Sequence, residues 1–192
     1  MKSIDEARLE EDLVYRFEYL CEFIGFGPED QRAIQSCAPY LGPQIGALVE
    51  ATYTKLLSYD ATARHFVARQ HGYTGPLPTT AVELTQSHPQ VQFRKEHLSK
   101  YFLQLLGRNY DAKMVQYLDM VGKIHTPHAG NAAIQIPLVQ MNALLGQMAD
   151  VLTECITQLG LDTATMIATL RAFQKLFWIQ NDFVSRHYMH GG

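Results

Sequence analysis

The sequence predicts an all-α fold, and three observations support this. Apolar residues recur at three- and four-residue steps along most of the chain, which is the period of a helix that buries one face. Glycines and prolines separate these amphipathic segments. No segment has the alternating pattern of a half-buried strand, and no internal repeat is present. We therefore expect about seven or eight helices of unequal length packed around one core.

The composition fits one domain that spans residues 1–192. Of the 192 residues, 47% are hydrophobic and 18% are charged, a balance that can bury a core. The formal net charge of −3 provides no basic face for nucleic acid. The N-terminus is acidic and polar, unlike a signal peptide, and no apolar run approaches the roughly 18 residues of a membrane span. We expect a cytoplasmic protein without nucleic-acid or membrane partners.

The N-terminal third predicts three helices. The first runs from about Ile4 to Ile24, so that residues 1–27 form a leading helix with its glycine end. Pro28 suits the first turn of a short second helix, which the segment from Pro39 to Pro43 should break. A third helix then carries the apolar positions between 45 and 57.

The rest of the chain predicts a long loop and four helices. Residues 70–89 are rich in Gly and Pro, a composition typical of a loop, and loops of this length often cover a site. Helices are expected at about 90–106 and 111–125, and two long ones at about 136–159 and 162–187. Asp162 could cap the last of these, since an aspartate is a favoured N-cap.

His125 is the first candidate for chemistry. Met114, Leu118, Val121 and His125 step by four, three and four, so they share one helix face. A neutral imidazole at the end of an apolar stripe could bind an iron inside the core, with Pro127 limiting where the helix ends. The spacing is also compatible with a histidine that is satisfied within the core or partly exposed. The residues alone leave both interpretations open.

The segment from Tyr110 to His125, YDAKMVQYLDMVGKIH, resembles the protoglobin stretch of Tyr-Asp, a helix and then Gly-x-x-His. The motif GFGPEDQRAI near the start, a Tyr in the third helix and LFWIQND in the last helix extend the likeness over nearly the whole chain. The sequence is therefore similar to the protoglobins and to the globin domains of globin-coupled sensors. This resemblance implies a globin fold of the three-over-three type with an extra N-terminal helix, and a bound haem b.

The resemblance also implies roles for individual residues. His125 would be the proximal haem ligand and the metal ligand, Tyr53 the distal hydroxyl, and Leu98 the apolar residue facing the iron. Val121 and Tyr101 would complete the haem contacts. A tyrosine hydroxyl can donate a hydrogen bond to a gas that carries partial negative charge. The alternative for Tyr53 is an ordinary core tyrosine bonded to a backbone carbonyl.

The distal positions depart from the pattern of the archaeal protoglobins. Those proteins tend to carry a Trp before the distal Tyr and a Phe facing the iron, whereas this sequence has Thr52 and Leu98. The smaller pair leaves more room in the pocket, or lets other side chains fill that space. It also moves the pocket towards the globin domains of gas sensors.

Further basic side chains compete for roles around the expected haem. His97 could bind the iron as a sixth ligand, or point to solvent or to a haem propionate. Arg94 and Lys95 could pair with propionates, or could form a solvated basic face. The histidine pairs at 125 and 128 and at 187 and 190 have a spacing seen in zinc sites, but we expect no zinc there, because a proline interrupts the first pair and the second lies at the chain end.

The preferred function is reversible binding of oxygen, carbon monoxide or nitric oxide, for gas sensing or handling rather than turnover. A haem enzyme of the peroxidase or nitric oxide dioxygenase type is one alternative, and it would need a distal acid–base group or a reductase partner. A haem-free globin-fold module that regulates a partner is another.

The last two predicted helices carry apolar residues on more than one side. In the related family these helices form a homodimeric four-helix interface, so the resemblance implies a homodimer. The alternative is that both faces are buried within one chain. The residues concerned are Leu138, Met141, Leu145, Met148, Met166, Leu170, Phe173, Phe177 and Trp178.

Overall fold

The computed structural model describes residues 1–189, and within that range it contains helices and loops but no strand. Eight α-helices of six residues or more and a single-turn helix, α5, confirm the all-α prediction for the described part of the chain. None of these helices is long and apolar enough to cross a membrane. The elements are α1 (Glu6–Glu11), α2 (Leu13–Ile24), α3 (Pro28–Leu41), α4 (Ile45–Leu57), α5 (Asp60–Ala63), α6 (Pro89–Gly107), α7 (Ala112–Lys123), α8 (Leu138–Thr157) and α9 (Thr163–Ser185).

The N-terminal segment differs from the single helix expected between Ile4 and Ile24. The chain leaves the helical conformation at Asp12, where φ is −107° and ψ is 100°, an extended backbone. The Asp12 side chain accepts hydrogen bonds from the backbone N–H groups of Val14 and Tyr15, both at 3.0 Å. Asp12 therefore caps α2 and separates it from α1, because an aspartate satisfies the free donors of a helix start.

The second predicted helix is longer than expected. Pro28 occupies its first turn, as predicted, but α3 continues through Pro39 to Leu41. Pro39 is exposed, so the carbonyl that loses its helical partner can be hydrated. The helix ends only at the 3₁₀ turn Gly42–Gln44, and α4 begins directly after that turn.

The long C-terminal helix α9 lies at the centre of the fold and packs against α2, α3, α7 and α8. Leu176, Ile179 and Phe183 on this helix are fully buried. Asp162 caps it, as predicted, by accepting hydrogen bonds from the N–H groups of Ala164 and Thr165. The helix that directly precedes the expected metal ligand His125, α7, is thus held against the core helix.

The segment between α5 and α6 contains no α-helix and only short 3₁₀ turns. The buried side chain of Gln90 holds its first part in place. The Gln90 amide donates to the carbonyls of Phe66 at 2.6 Å and Ala68 at 3.2 Å, and accepts from the N–H of Gln70 at 3.2 Å. This part of the loop is therefore ordered against α6, where residues 70–73 form one wall of the cavity described next.

Candidate functional site

A cavity of about 1190 Å³ lies inside the helical shell. Its walls come from α4, α6, α7, α8 and α9 together with residues 65–73 and 129–136. Pockets that bind small molecules or cofactors typically measure roughly 300–1,000 Å³, so this space can hold a large organic cofactor. All six residues proposed from the sequence as haem contacts line it: Tyr53, Arg94, Leu98, Tyr101, Val121 and His125.

His125 lies just after α7, which ends two residues earlier at Lys123. Its Nδ1–H donates to the Val121 carbonyl at 2.7 Å. Because a carbonyl can only accept, this bond places the proton on Nδ1 and leaves a lone pair on Nε2, which has no hydrogen-bond partner within residues 1–189. Burial lowers the pKa of His125, and the nearby Arg94 charge lowers it further. The imidazole is therefore neutral, with a lone pair available on Nε2.

A close approach of α9 sets the position of this imidazole. A Cβ atom added to Gly122 would lie 2.9 Å from the Cα of Val184, and it would also meet the Phe183 carbonyl oxygen. Only glycine allows the two helices to approach this closely, which gives a structural reason for the Gly three residues before His125.

A buried amide, which the sequence analysis did not single out, links the same helices. Gln180 on α9 donates to the Leu118 carbonyl on α7 at 3.2 Å and accepts from the Tyr101 hydroxyl of α6 at 3.4 Å. The Gln180 side chain thus links α7 to α6, and both of these helices line the cavity. The available signals for Gln180 were its place within LFWIQND and its position among apolar residues of α9.

Tyr53 contributes to the lining of the cavity a second polar group without a hydrogen-bond partner in the described part of the chain. The residue is buried on α4, and its ring packs 5.7 Å from the ring of Phe66. No described residue accepts a hydrogen bond from its hydroxyl. Burial raises the pKa of Tyr53, so the hydroxyl stays protonated. The neighbouring Thr52 hydroxyl is occupied, because it donates to the Leu48 carbonyl at 2.8 Å.

The basic residues of α6 separate into different environments. Arg94 lines the cavity, and His97 lies exposed at its edge, donating from Nδ1 to the Phe93 carbonyl at 2.8 Å. Lys95 is buried outside the cavity, where Nζ donates to both carboxylate oxygens of Glu50 at 2.8 Å. Both expectations for Lys95, a propionate partner and a solvated basic face, are therefore wrong, because Glu50 on α4 already neutralises it.

The charges that line the cavity are all of one sign. Among the described residues the lining includes no Asp and no Glu, although the whole chain has a net charge of −3. The basic lining residues are Arg69, Arg94, Lys100, Arg108, His65, His71, His97 and His125. This distribution favours a ligand with negative charge.

Several polar atoms of the lining are buried without a hydrogen-bond partner. They are His65 Nε2, Arg94 Nε, Gln104 Oε1 and Gln140 Oε1. Buried polar groups in folded proteins are nearly always paired, so an unpaired cluster around one cavity is typical of a binding site. Sequence reasoning missed His65, Gln104 and Gln140, because polar residues in a mixed wall follow no apolar period.

The histidine pairs with zinc-like spacing do not form a metal site in the described part of the chain. His128 is exposed, and His187 is bonded to Asp119 through Nε2 at 2.9 Å. His190 lies outside the described residues. No cluster of three or more His, Cys, Asp or Glu side chains suited to a metal ion occurs in residues 1–189.

A helical wall around a large cavity, a free Nε2 on His125 and a basic lining define a helical protein whose cavity suits a cofactor that carries negative charge. The model of the Protoglobin family matches residues 13–192, and the chain belongs to this family. The family implies a globin fold, and globins generally bind haem and, through it, gas ligands. No curated protein matches the chain.

Proposed function

We propose that this protoglobin binds haem b in the cavity through His125 and binds oxygen, carbon monoxide or nitric oxide reversibly. The observation that carries this proposal is the neutral His125 imidazole, whose Nε2 lone pair is free beside a cavity of about 1190 Å³. When bound, the haem iron would supply a coordination position that a diatomic gas can occupy.

The residues of the chain fit such a cofactor in shape and in charge. The Val121 carbonyl orients the imidazole, as outer-shell acceptors do for metal-bound histidines. Apolar lining residues such as Leu98 and Met148 exclude water from the interior. Arg69, Lys100 and Arg108 line the cavity while remaining exposed, so they can pair with the two propionates of a haem at its solvent edge.

The distal wall favours binding over turnover. The free hydroxyl of Tyr53 can donate to a polar gas ligand, which would stabilise the bound gas by roughly 0.5–1.5 kcal/mol. A peroxidase or dioxygenase would need an acid–base group here, and burial raises the pKa of Tyr53, which makes it a poor one near neutral pH. Gas sensing or handling in the cytoplasm therefore remains our proposal.

We also propose a homodimer through α8 and α9, on a narrower surface than the sequence suggests. Met141, Met148, Phe173 and Phe177 are buried within the chain. Trp178, at 59% exposure, is the large apolar side chain of α9 that most needs cover. Sedimentation velocity at several concentrations measures this assembly.

Absorption spectra of the protein loaded with haem test the proposed function. A Soret band at one haem per chain that shifts on reduction and again with carbon monoxide is the expected result. A six-coordinate ferrous spectrum would instead assign His97 or another side chain to the iron. Failure to take up haem after reconstitution would contradict the proposal and favour the haem-free module.

A further inference from the structure

Arg94 lies on the same side of the cavity as Tyr53. Its guanidinium carbon is 4.9 Å from the centre of the Phe66 ring, and that ring packs 5.7 Å from the ring of Tyr53. The electrostatic influence of Arg94 reaches both Tyr53 and His125. The Phe66 ring therefore connects the guanidinium of Arg94 to Tyr53, and all three residues line the cavity with His125.

Most of the hydrogen-bond donors of Arg94 have no partner. An arginine has five N–H donors, and here only Nη2 has an acceptor among the described residues, the Ala68 carbonyl at 3.1 Å. Nε is buried and unpaired, and no Asp or Glu lines the cavity in the described part of the chain. A largely buried cation without a counter-charge is unfavourable, which indicates that an anion belongs beside it.

The carboxylates of a haem are one source of that negative charge, but the position of Arg94 fits them poorly. Propionates lie at the polar edge of the cofactor, and three cations that line the cavity are exposed there: Arg69, Lys100 and Arg108. Arg94 is the Lys or Arg of the lining, within residues 1–189, that is not exposed. Its neighbour across the Phe66 ring is Tyr53, on the side where we propose the gas binds.

We propose that Arg94 and Tyr53 together form a donor pair for a small monovalent anion, such as azide or nitrite, that binds on the distal side of the ferric protein. This inference rests on the proposed function, because the anion shares the site of the gas. The guanidinium supplies charge and a hydrogen bond, and the hydroxyl supplies a second donor. Arg94 thus strengthens the binding of an anion to the ferric protein and leaves that of a neutral ligand little changed.

Azide titration of the ferric, haem-loaded protein, followed by absorbance at fixed pH and ionic strength, tests the proposal. In Arg94→Met the azide Kd should rise about tenfold or more, because a charge-assisted hydrogen bond is lost. The affinity of the reduced variant for carbon monoxide, a neutral ligand, should stay within about twofold. Arg171→Met, which removes an exposed cation of α9, is the matched control and should leave both affinities unchanged.

An unchanged azide Kd in Arg94→Met would overturn the proposal, and faster haem loss in the same variant would assign Arg94 to a propionate. Arg94→Gln, which keeps a donor but not the charge, replaces the methionine variant if that one fails to fold, and the same rise in Kd is expected. A protein that takes up no haem contradicts the proposed function instead, so the two failures are distinguishable.

Discussion

The surroundings of α9 and the surroundings of the cavity treat buried polar groups in opposite ways. On the outer side of α9, Lys175 donates to both oxygens of Asp30 at 2.8 and 2.9 Å, and Arg16 meets Asp182 at 2.6 Å. In the cavity, Arg94 has no carboxylate partner within the described residues. The charged side chains that join helices to α9 are thus paired with carboxylates, whereas Arg94, beside the expected ligand, is not.

The contrast extends to neighbouring residues of one helix. Lys95 and Arg94 are adjacent on α6, yet Lys95 is paired with Glu50 and Arg94 faces the cavity. Lys95 therefore contributes to the stability of the protein without a ligand, whereas the buried charge of Arg94 lowers that stability until an anion binds beside it. The lining of the cavity therefore contains four buried polar atoms without a hydrogen-bond partner among the described residues, and Arg94 Nε is one of them.

Two methionine substitutions test the contrast between paired and unpaired charges, and we expect them to have the largest effect on stability. In the haem-free protein, Lys175→Met should lower the free energy of unfolding by about 2–4 kcal/mol, because Asp30 loses its counter-charge in a mostly buried place. Arg94→Met should leave that free energy unchanged or raise it, since the variant removes a charge that had no counter-charge. Urea unfolding measures both free energies. An equal decrease in the two variants would contradict the contrast between a paired Lys175 and an unpaired Arg94.

Two tyrosines allow the same comparison between a paired and an unpaired hydroxyl, with a smaller expected effect on stability. The Tyr110 hydroxyl donates to the Leu105 carbonyl at 2.7 Å, whereas the Tyr53 hydroxyl has no described partner. In the haem-free protein, Tyr110→Phe should cost about 1 kcal/mol and Tyr53→Phe less than about 0.5 kcal/mol. In the loaded protein the order reverses, because Tyr53→Phe should speed oxygen dissociation several-fold, as stopped-flow would show. An unchanged off-rate would mean that another donor contacts the gas.

Much of the fold was predictable, because helix period and capping are local properties. The capping Asp162 and the apolar stripe that leads to His125 follow directly from residue spacing. The break at Asp12 was missed, because an aspartate within an amphipathic pattern looks the same whether it lies on the exposed face of one helix or caps the start of a second. The run through Pro39 was missed because it depends on which helix face is exposed.

The site was predictable only in part. Resemblance pointed to His125 and Tyr53, and both line one cavity. The different fates of Arg94 and Lys95 were not visible, because adjacent helix residues point about 100° apart and only the packing of α4 against α6 decides which one meets Glu50. The unpaired Gln104 and Gln140 depend on the shape of the whole cavity, which no local pattern encodes.

Haem titration of His125→Ala tests the central claim most directly. The wild-type chain should take up one haem with a sharp endpoint, and His128→Ala, which removes an exposed histidine three residues away, should do the same. His125→Ala should retain its helical circular dichroism but fail to hold haem stably, because it removes the Nε2 lone pair that we propose binds the iron. Full occupancy of His125→Ala with an unchanged spectrum would contradict the account.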